Sequence, residues 1–203
     1  PGGQGPCGRS NLACSHAGEI MKIECTIDGK ALSLSVNSNK PLSLILMEDV
    51  GNRTIISHCR GKACGNCIVL INDEAELSCI IPAFRLRDAT IRTFESYQKT
   101  RQYRDIERAY QATGNTPCPN CYASKTLIIE SILQELTNNT RIKALGRNNL
   151  PLRDEEQHEE KLDKKAIIQE LSLNTCQCMD MSEMMQIVEI ALTYRRRKRV
   201  RRN

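Results

Sequence analysis

Four cysteines, Cys59, Cys64, Cys67 and Cys79, are spaced C-x4-C-x2-C with the fourth a short segment later, which restricts what this chain can fold around. A 2Fe-2S cluster needs four thiolates on two irons, three from one tight loop and one from a neighbouring segment. Gly61 and Gly65 suit such a loop as cofactor-binding positions. Without a Cβ they admit positive φ and let amide N–H groups approach bridging sulfides. A second quartet follows: Cys118 and Cys121 as C-x2-C, then Cys176 and Cys178 as C-x-C. The expectation is two iron-sulfur clusters held by these eight metal ligands. Zinc is the one serious rival for the first quartet, and for the second an all-cysteine zinc site is a rival too, because tetrahedral thiolates suit zinc equally.

Composition fits that reading. The chain has 203 residues, 3% aromatics and no Trp, so each core is small and expected to be organised in part by its metal. Eleven cysteines would suggest disulfides in a secreted chain. Residues 1–20 contain no apolar signal core, however, and no segment approaches transmembrane length, which points to a reducing cytoplasm. Those first twenty residues, rich in Gly and small polar side chains, are treated as a non-native or disordered leader, with Met21 the expected natural start. Cys7 and Cys14 are set aside with it, and Cys25 reads as a small buried hydrophobe within a strand.

Lys22 to Ile27 and Lys30 to Val36 predict two strands about an Asp28-Gly29 type I′ turn. Pro41 opens a helix whose apolar face is Leu42, Leu44, Ile45 and Met47, ending at Gly51. After the cluster loop, Ile68 to Ile71 is a strand, Asn72-Asp73 a turn, Glu76 to Ile80 a strand carrying Cys79, and Ala89 to Phe94 a last strand. From Tyr97 to Arg104 a polar link is expected, and beyond it the period is helical. Ile106, Ala109 and Tyr110 share one face before Gly114. Leu127, Ile128, Ile132, Leu133 and Leu136 make a broad stripe, and Ala166 to Leu171 and Met181 to Leu192 supply two more helices, the last with an Asp180/Glu183 capping box. The fold class is therefore α+β, with a compact α+β 2Fe-2S domain over 21–97 and an all-α four-helix-bundle 2Fe-2S domain over 98–193. Two interhelical turns at one end of the bundle would present the second quartet.

From Met21 to about Thr193 the chain resembles the small iron-sulfur subunit of the molybdenum hydroxylases, the group of xanthine dehydrogenases, aldehyde oxidoreductases and carbon monoxide dehydrogenases. The matching stretches are PLSLILMEDVG, the loop CRGKACGNCIVLIND, the return SCIIPAF, the C-x2-C at Cys118 and Cys121, and NTCQCMDMSEMMQIVEIAL. The resemblance implies a β-grasp, plant-type ferredoxin-like first domain with its cluster on the flavin side, and a helical domain whose cluster lies nearer molybdenum. It further implies a relay of single electrons through two 2Fe-2S clusters, from a molybdenum-cofactor large subunit to FAD on a medium subunit, with no substrate chemistry on this chain. Pro117 stands where the family commonly has a pterin-contacting Gln, so that contact is not carried over. Cys121 and Cys176 also lie further apart than is usual, and the surplus is assigned to a polar insert at about 138–163, where His158 among acids reads as a solvated surface.

Arg195 to Arg202 holds seven cations and turns a body of about −2 into a formal net charge of +5. Residues 194–203 are expected to be a disordered basic tail docking on a partner subunit. With Tyr194 the only aromatic beside it, the run argues against nucleic acid. The alternative function is a stand-alone iron-sulfur electron carrier, or a redox-sensing regulator that binds nucleic acid through this tail. A free carrier needs only the first quartet, so the second domain favours the subunit.

Overall fold

The computed structural model describes residues 19–53, 55, 64–145 and 164–200, with side chains through 138 and from 165 to 196 in the last two segments. Residues 1–18 of the leader, Cys59, Gly61, most of the 138–163 insert and the end of the basic run lie outside the described residues, while Ile20, the last of the leader, already opens a strand.

Five strands form one mixed sheet in the order β2-β1-β5-β3-β4. Strand β1 (Ile20–Ile27) turns back into β2 (Lys30–Asn37) with Ile27 opposite Lys30. Asp28 and Gly29, at φ 52° and 80°, make the expected turn with both central residues left-handed. Asp28 also accepts from the Thr93 N–H and hydroxyl at 2.7 and 2.8 Å, tying the hairpin to the end of β5 (Thr90–Arg92). Strand β5 runs parallel to β1 and antiparallel to β3 (Ile68–Ile71), which pairs in turn with β4 (Glu74–Leu77).

Several elements differ from expectation. The helix after Pro41 is three α residues, α1 (Leu42–Leu44), followed by a π-helical stretch, Ile45–Asp49. Leu42, Ile45 and Leu46, spaced i, i+3 and i+4, are buried, while Leu44, two residues after Leu42, falls off that face and is exposed. Strand β4 stops at Leu77 and Cys79 lies in the turn beyond it: the Ser78 N–H makes a last in-register bond to the Cys67 carbonyl, and the Ile80 N–H then folds back onto the Leu77 carbonyl at 3.1 Å. Strand β5 is three residues long, and Phe94 opens a short helix, α2 (Phe94–Tyr97).

Helices α3 (Arg101–Thr113), α4 (Tyr122–Leu145), α5 (Lys164–Leu171) and α6 (Met181–Val200) follow. The Thr100 hydroxyl caps α3 by accepting the Tyr103 N–H at 3.3 Å, and Gly114 at φ 71° ends it. At α6 the capping box is reciprocal: the Glu183 N–H donates to Asp180 at 2.7 Å and the Asp180 N–H to Glu183 at 2.9 Å. The Glu183 N–H, with the Ser182 hydroxyl at 2.7 Å, holds the Asp180 carboxyl below its ordinary range. Helix α4 continues to Leu145, into the region assigned to the insert, because extending a formed helix costs little per residue. The basic run likewise begins inside α6 and is not a free tail at its start.

Two cores meet at β3. Val69 joins Ile23, Ile27, Leu42, Ile45 and Ile91 on one face, while its neighbours Ile68 and Leu70 face Ile106, Leu127, Ile128 and Leu133. The period of two in a strand thus serves both layers. Helix α4 packs on β3 and β4, and residues 124–133 are buried around the whole circumference. Tyr97 is fully buried in the helical core, so the stretch read as a polar link begins inside packed structure.

Candidate metal centre

Cys64 opens the described part of the first loop, and Gly65 follows at φ 77°. Cys67, 3% exposed, ends the loop where β3 begins. Its carbonyl accepts the Ser78 N–H at 3.1 Å and the Ser78 hydroxyl at 2.7 Å, and Ser78 is fully buried. Pairing of Ile68 with Leu77 therefore brings Cys67 and Cys79 to the same open end of the β3–β4 hairpin. None of the described cysteines forms a disulfide.

The second quartet converges fully. Cys118 and Cys121 sit in the turn before α4, where the Cys121 and Tyr122 N–H groups donate to the Cys118 carbonyl at 3.1 and 2.9 Å. Cys176 and Cys178 lie between α5 and α6. The Sγ atoms of Cys118 and Cys121 are 3.3 Å apart, those of Cys118 and Cys176 3.8 Å, those of Cys121 and Cys178 3.1 Å, and all four lie within 4.8 Å of one another. Four thiols aimed at one point, with no carboxylate or imidazole in the group, fit the all-sulfur donor set of an iron-sulfur cluster and equally that of tetrahedral zinc.

The thiols are not equivalent. Hydrogen bonds from the Cys121 thiol and backbone lower the Cys118 thiol to about 7, while burial pushes the Cys121 thiol up. In metal-free protein, alkylation of Cys118 by iodoacetamide is expected to rise with pH and reach half its maximal rate near pH 7, because the thiolate is the nucleophile, with Cys121 staying slow. Equal rates at both positions, followed by peptide mass spectrometry, would contradict this.

The two cysteine loops touch. The Thr175 N–H and hydroxyl donate to the Cys64 carbonyl at 3.3 and 3.4 Å. The Asn174 amide donates to the Gly65 carbonyl at 3.1 Å and to Asn66 Oδ1 at 2.9 Å. Gly65 permits that approach: a Cβ there would lie 2.9 Å from the Leu173 carbonyl carbon, and nearer still to its oxygen and to Asn174 Cα. Sequence reasoning singled out Gly65 for its loop but missed Ser78, Asn174 and Thr175. The available signal was Asn-x-Cys outside a helix, a pattern that makes an Asx turn, here the Cys176 N–H on Asn174 Oδ1 at 3.1 Å.

Residues 25–89 match the 2Fe-2S iron-sulfur cluster binding domain family. Over 103 residues the chain is 33% identical to the xanthine dehydrogenase iron-sulfur-binding subunit of Escherichia coli O157:H7, covering 51% of this chain and 64% of that relative. It is 25% identical over 115 residues to the nicotinate dehydrogenase small FeS subunit of Eubacterium barkeri, covering 57% of this chain and 73% of the relative. The crystal structure of quinoline 2-oxidoreductase from Pseudomonas putida 86 superposes with a TM-score of 0.61 at 22% identity, over 88% of this chain and 97% of that one. The chain resembles the small iron-sulfur subunits of the molybdenum hydroxylases. The superposition extends past the 2Fe-2S domain match, so the helices that carry the second quartet share the fold of such proteins. In this chain the sheet comes first and the helices follow. Among the described residues no helix is long and apolar enough to cross a membrane.

Proposed function

We propose that this chain is the electron-relay subunit of a molybdenum-containing hydroxylase or dehydrogenase, cytoplasmic and without substrate chemistry of its own. When bound, two 2Fe-2S clusters would carry single electrons from the molybdenum cofactor on a large subunit to FAD on a medium subunit. Cys59, Cys64, Cys67 and Cys79, with Gly61 and Gly65 shaping the loop, would hold one cluster in a β-grasp domain over 21–97. Cys118, Cys121, Cys176 and Cys178 would hold the other at one end of a four-helix bundle over 98–193, before the basic segment 194–203.

The observation that carries this reading is the contact between the loops. The Cys64 carbonyl accepts the Thr175 N–H at 3.3 Å, so a ligand of the first set is one hydrogen bond and one peptide from Cys176 of the second. Two centres that only stabilised their own domains would not require their ligand loops to meet. The same contact speaks against a free carrier, which needs one centre.

Metal and sulfide analysis of the purified protein is expected to give four irons and four sulfides per chain. Two irons with one zinc would refute the second cluster and the relay together. In the assembled complex, Cys178→Ser is expected to stop reduction of FAD by substrate while leaving molybdenum reducible, as read by stopped-flow spectroscopy of each centre. Normal flavin reduction in that variant, with its second cluster shown to be absent, would overturn the serial order.

A further inference from the structure

We infer that Asn174 is a positioning residue which holds the two cysteine loops in fixed register and thereby sets electron exchange between the two centres. The inference rests on the two-cluster reading above and assigns its control to a side chain that is not a ligand.

Asn174 is 5% exposed and its amide is divided between the two loops. Both donor positions are used on the first loop, on the Gly65 carbonyl and Asn66 Oδ1, 109 and 108 residues away in sequence. The acceptor is used on the second loop, by the Cys176 N–H at 3.1 Å. The orientation is forced: the Gly65 carbonyl can only accept and the Cys176 N–H can only donate, so a flipped amide would set oxygen against oxygen and N–H against N–H. A buried amide left with such contacts is strongly disfavoured, and the side chain therefore has one state. One planar group three bonds from its own backbone thus fixes the residue after Cys64 relative to Cys176.

Nothing else described at this junction is as restrictive. The Thr175 contacts to the Cys64 carbonyl are long, at 3.3 and 3.4 Å, and one of them comes from an exposed hydroxyl. Gly65 allows the close approach but does not hold it. Electron tunnelling falls exponentially with separation, so a junction free to open by a fraction of an ångström would exchange electrons at a variable and lower rate. Asn174 removes that freedom without touching any metal.

The test uses loaded protein with iron and sulfide counted first. Two irons in the unaltered chain would defeat the two-cluster reading itself, whatever Asn174 does. Given four, Asn174→Asp is the informative variant: it has the same shape, keeps the acceptor for Cys176 and loses both donors to the first loop. The expected result is full iron content and both EPR signals, with the magnetic interaction between the two reduced clusters diminished and slower electron exchange between them. Hydrogen exchange in the peptide 173–177 should become roughly thirtyfold faster, as for loss of two hydrogen bonds each contributing about 1 kcal/mol net. Should Asn174→Asp lose a cluster, Asn66→Ala, which removes one arm of the clamp from the opposite side, replaces it. An unchanged magnetic interaction and exchange rate in whichever variant retains four irons would overturn the inference and leave Asn174 a local turn residue.

Discussion

Replacing Arg195 with alanine is expected to lower stability by roughly 3–5 kcal/mol, because it strands a carboxylate inside the helical core. Glu130 is fully buried on α4, and Arg195 on α6 meets it with both terminal nitrogens, one of them at 3.2 Å. The Tyr97 hydroxyl donates to the same carboxylate at 2.6 Å, and Gln134 donates from the following turn at 2.6 Å. Burial and the neighbouring Glu130 charge push the Tyr97 hydroxyl well up, so it remains a donor throughout the useful pH range. Removing the guanidinium leaves the charge with only neutral donors. The melting temperature of loaded protein should fall on the order of 10 °C. The double variant Glu130→Gln, Arg195→Met should recover most of that loss, since the cost lies in the uncompensated charge more than in the missing pair. A melt of Arg195→Ala within a degree of the unaltered protein would show that the pair contributes nothing.

Gly65→Ala is expected to be far more damaging than Gly29→Ala, although both glycines have nearly the same backbone. Their φ values are 77° and 80°, so an added Cβ brings each a left-handed strain of roughly 1–2 kcal/mol. At Gly29 nothing lies within 4 Å of that Cβ, and strain is the whole effect. At Gly65 the Cβ overlaps the Leu173–Asn174 backbone, which must retreat and release the Asn174 bonds to Gly65 and Asn66. With each bond contributing about 1 kcal/mol net, the total is roughly 3–4 kcal/mol. Paired thermal melts decide the matter. Equal losses at the two positions would show that the loops do not depend on close contact.

Much of the fold could be read locally. Asp28-Gly29, Gly114 and the Asp180/Glu183 box each specify their structure within four residues, and each forms as expected. Where a neighbour from elsewhere in the chain intervenes, local reading fails. The stripe on α4 suggested one buried face, but neighbours cover its other sides as well: Glu130 is buried beneath Tyr97 and Arg195, and Ser131 takes the Ala75 N–H of β4 at 3.0 Å. Leu44 was assigned to the apolar face, but it stands two residues after Leu42 and falls off the i, i+3, i+4 face that Leu42, Ile45 and Leu46 bury. The opening of the basic run looked like a solvated end, yet the first of its cations is drawn into the core by a carboxylate 65 residues away.

The sequence by itself determined the chemistry: which thiols could share a centre, that a sheet precedes helices, and which relatives the chain resembles. Ligand spacing, turn residues and caps act over a few bonds, so their consequences are written where they stand. Tertiary structure alone decided that the two cysteine loops meet, that Gly65 is needed for contact between those loops as well as for its own turn, and that Arg195 reaches a carboxylate buried in the helical core. Those outcomes depend on groups more than sixty residues apart competing for the same buried hydrogen bonds. Only the packed chain shows which pairs satisfy one another.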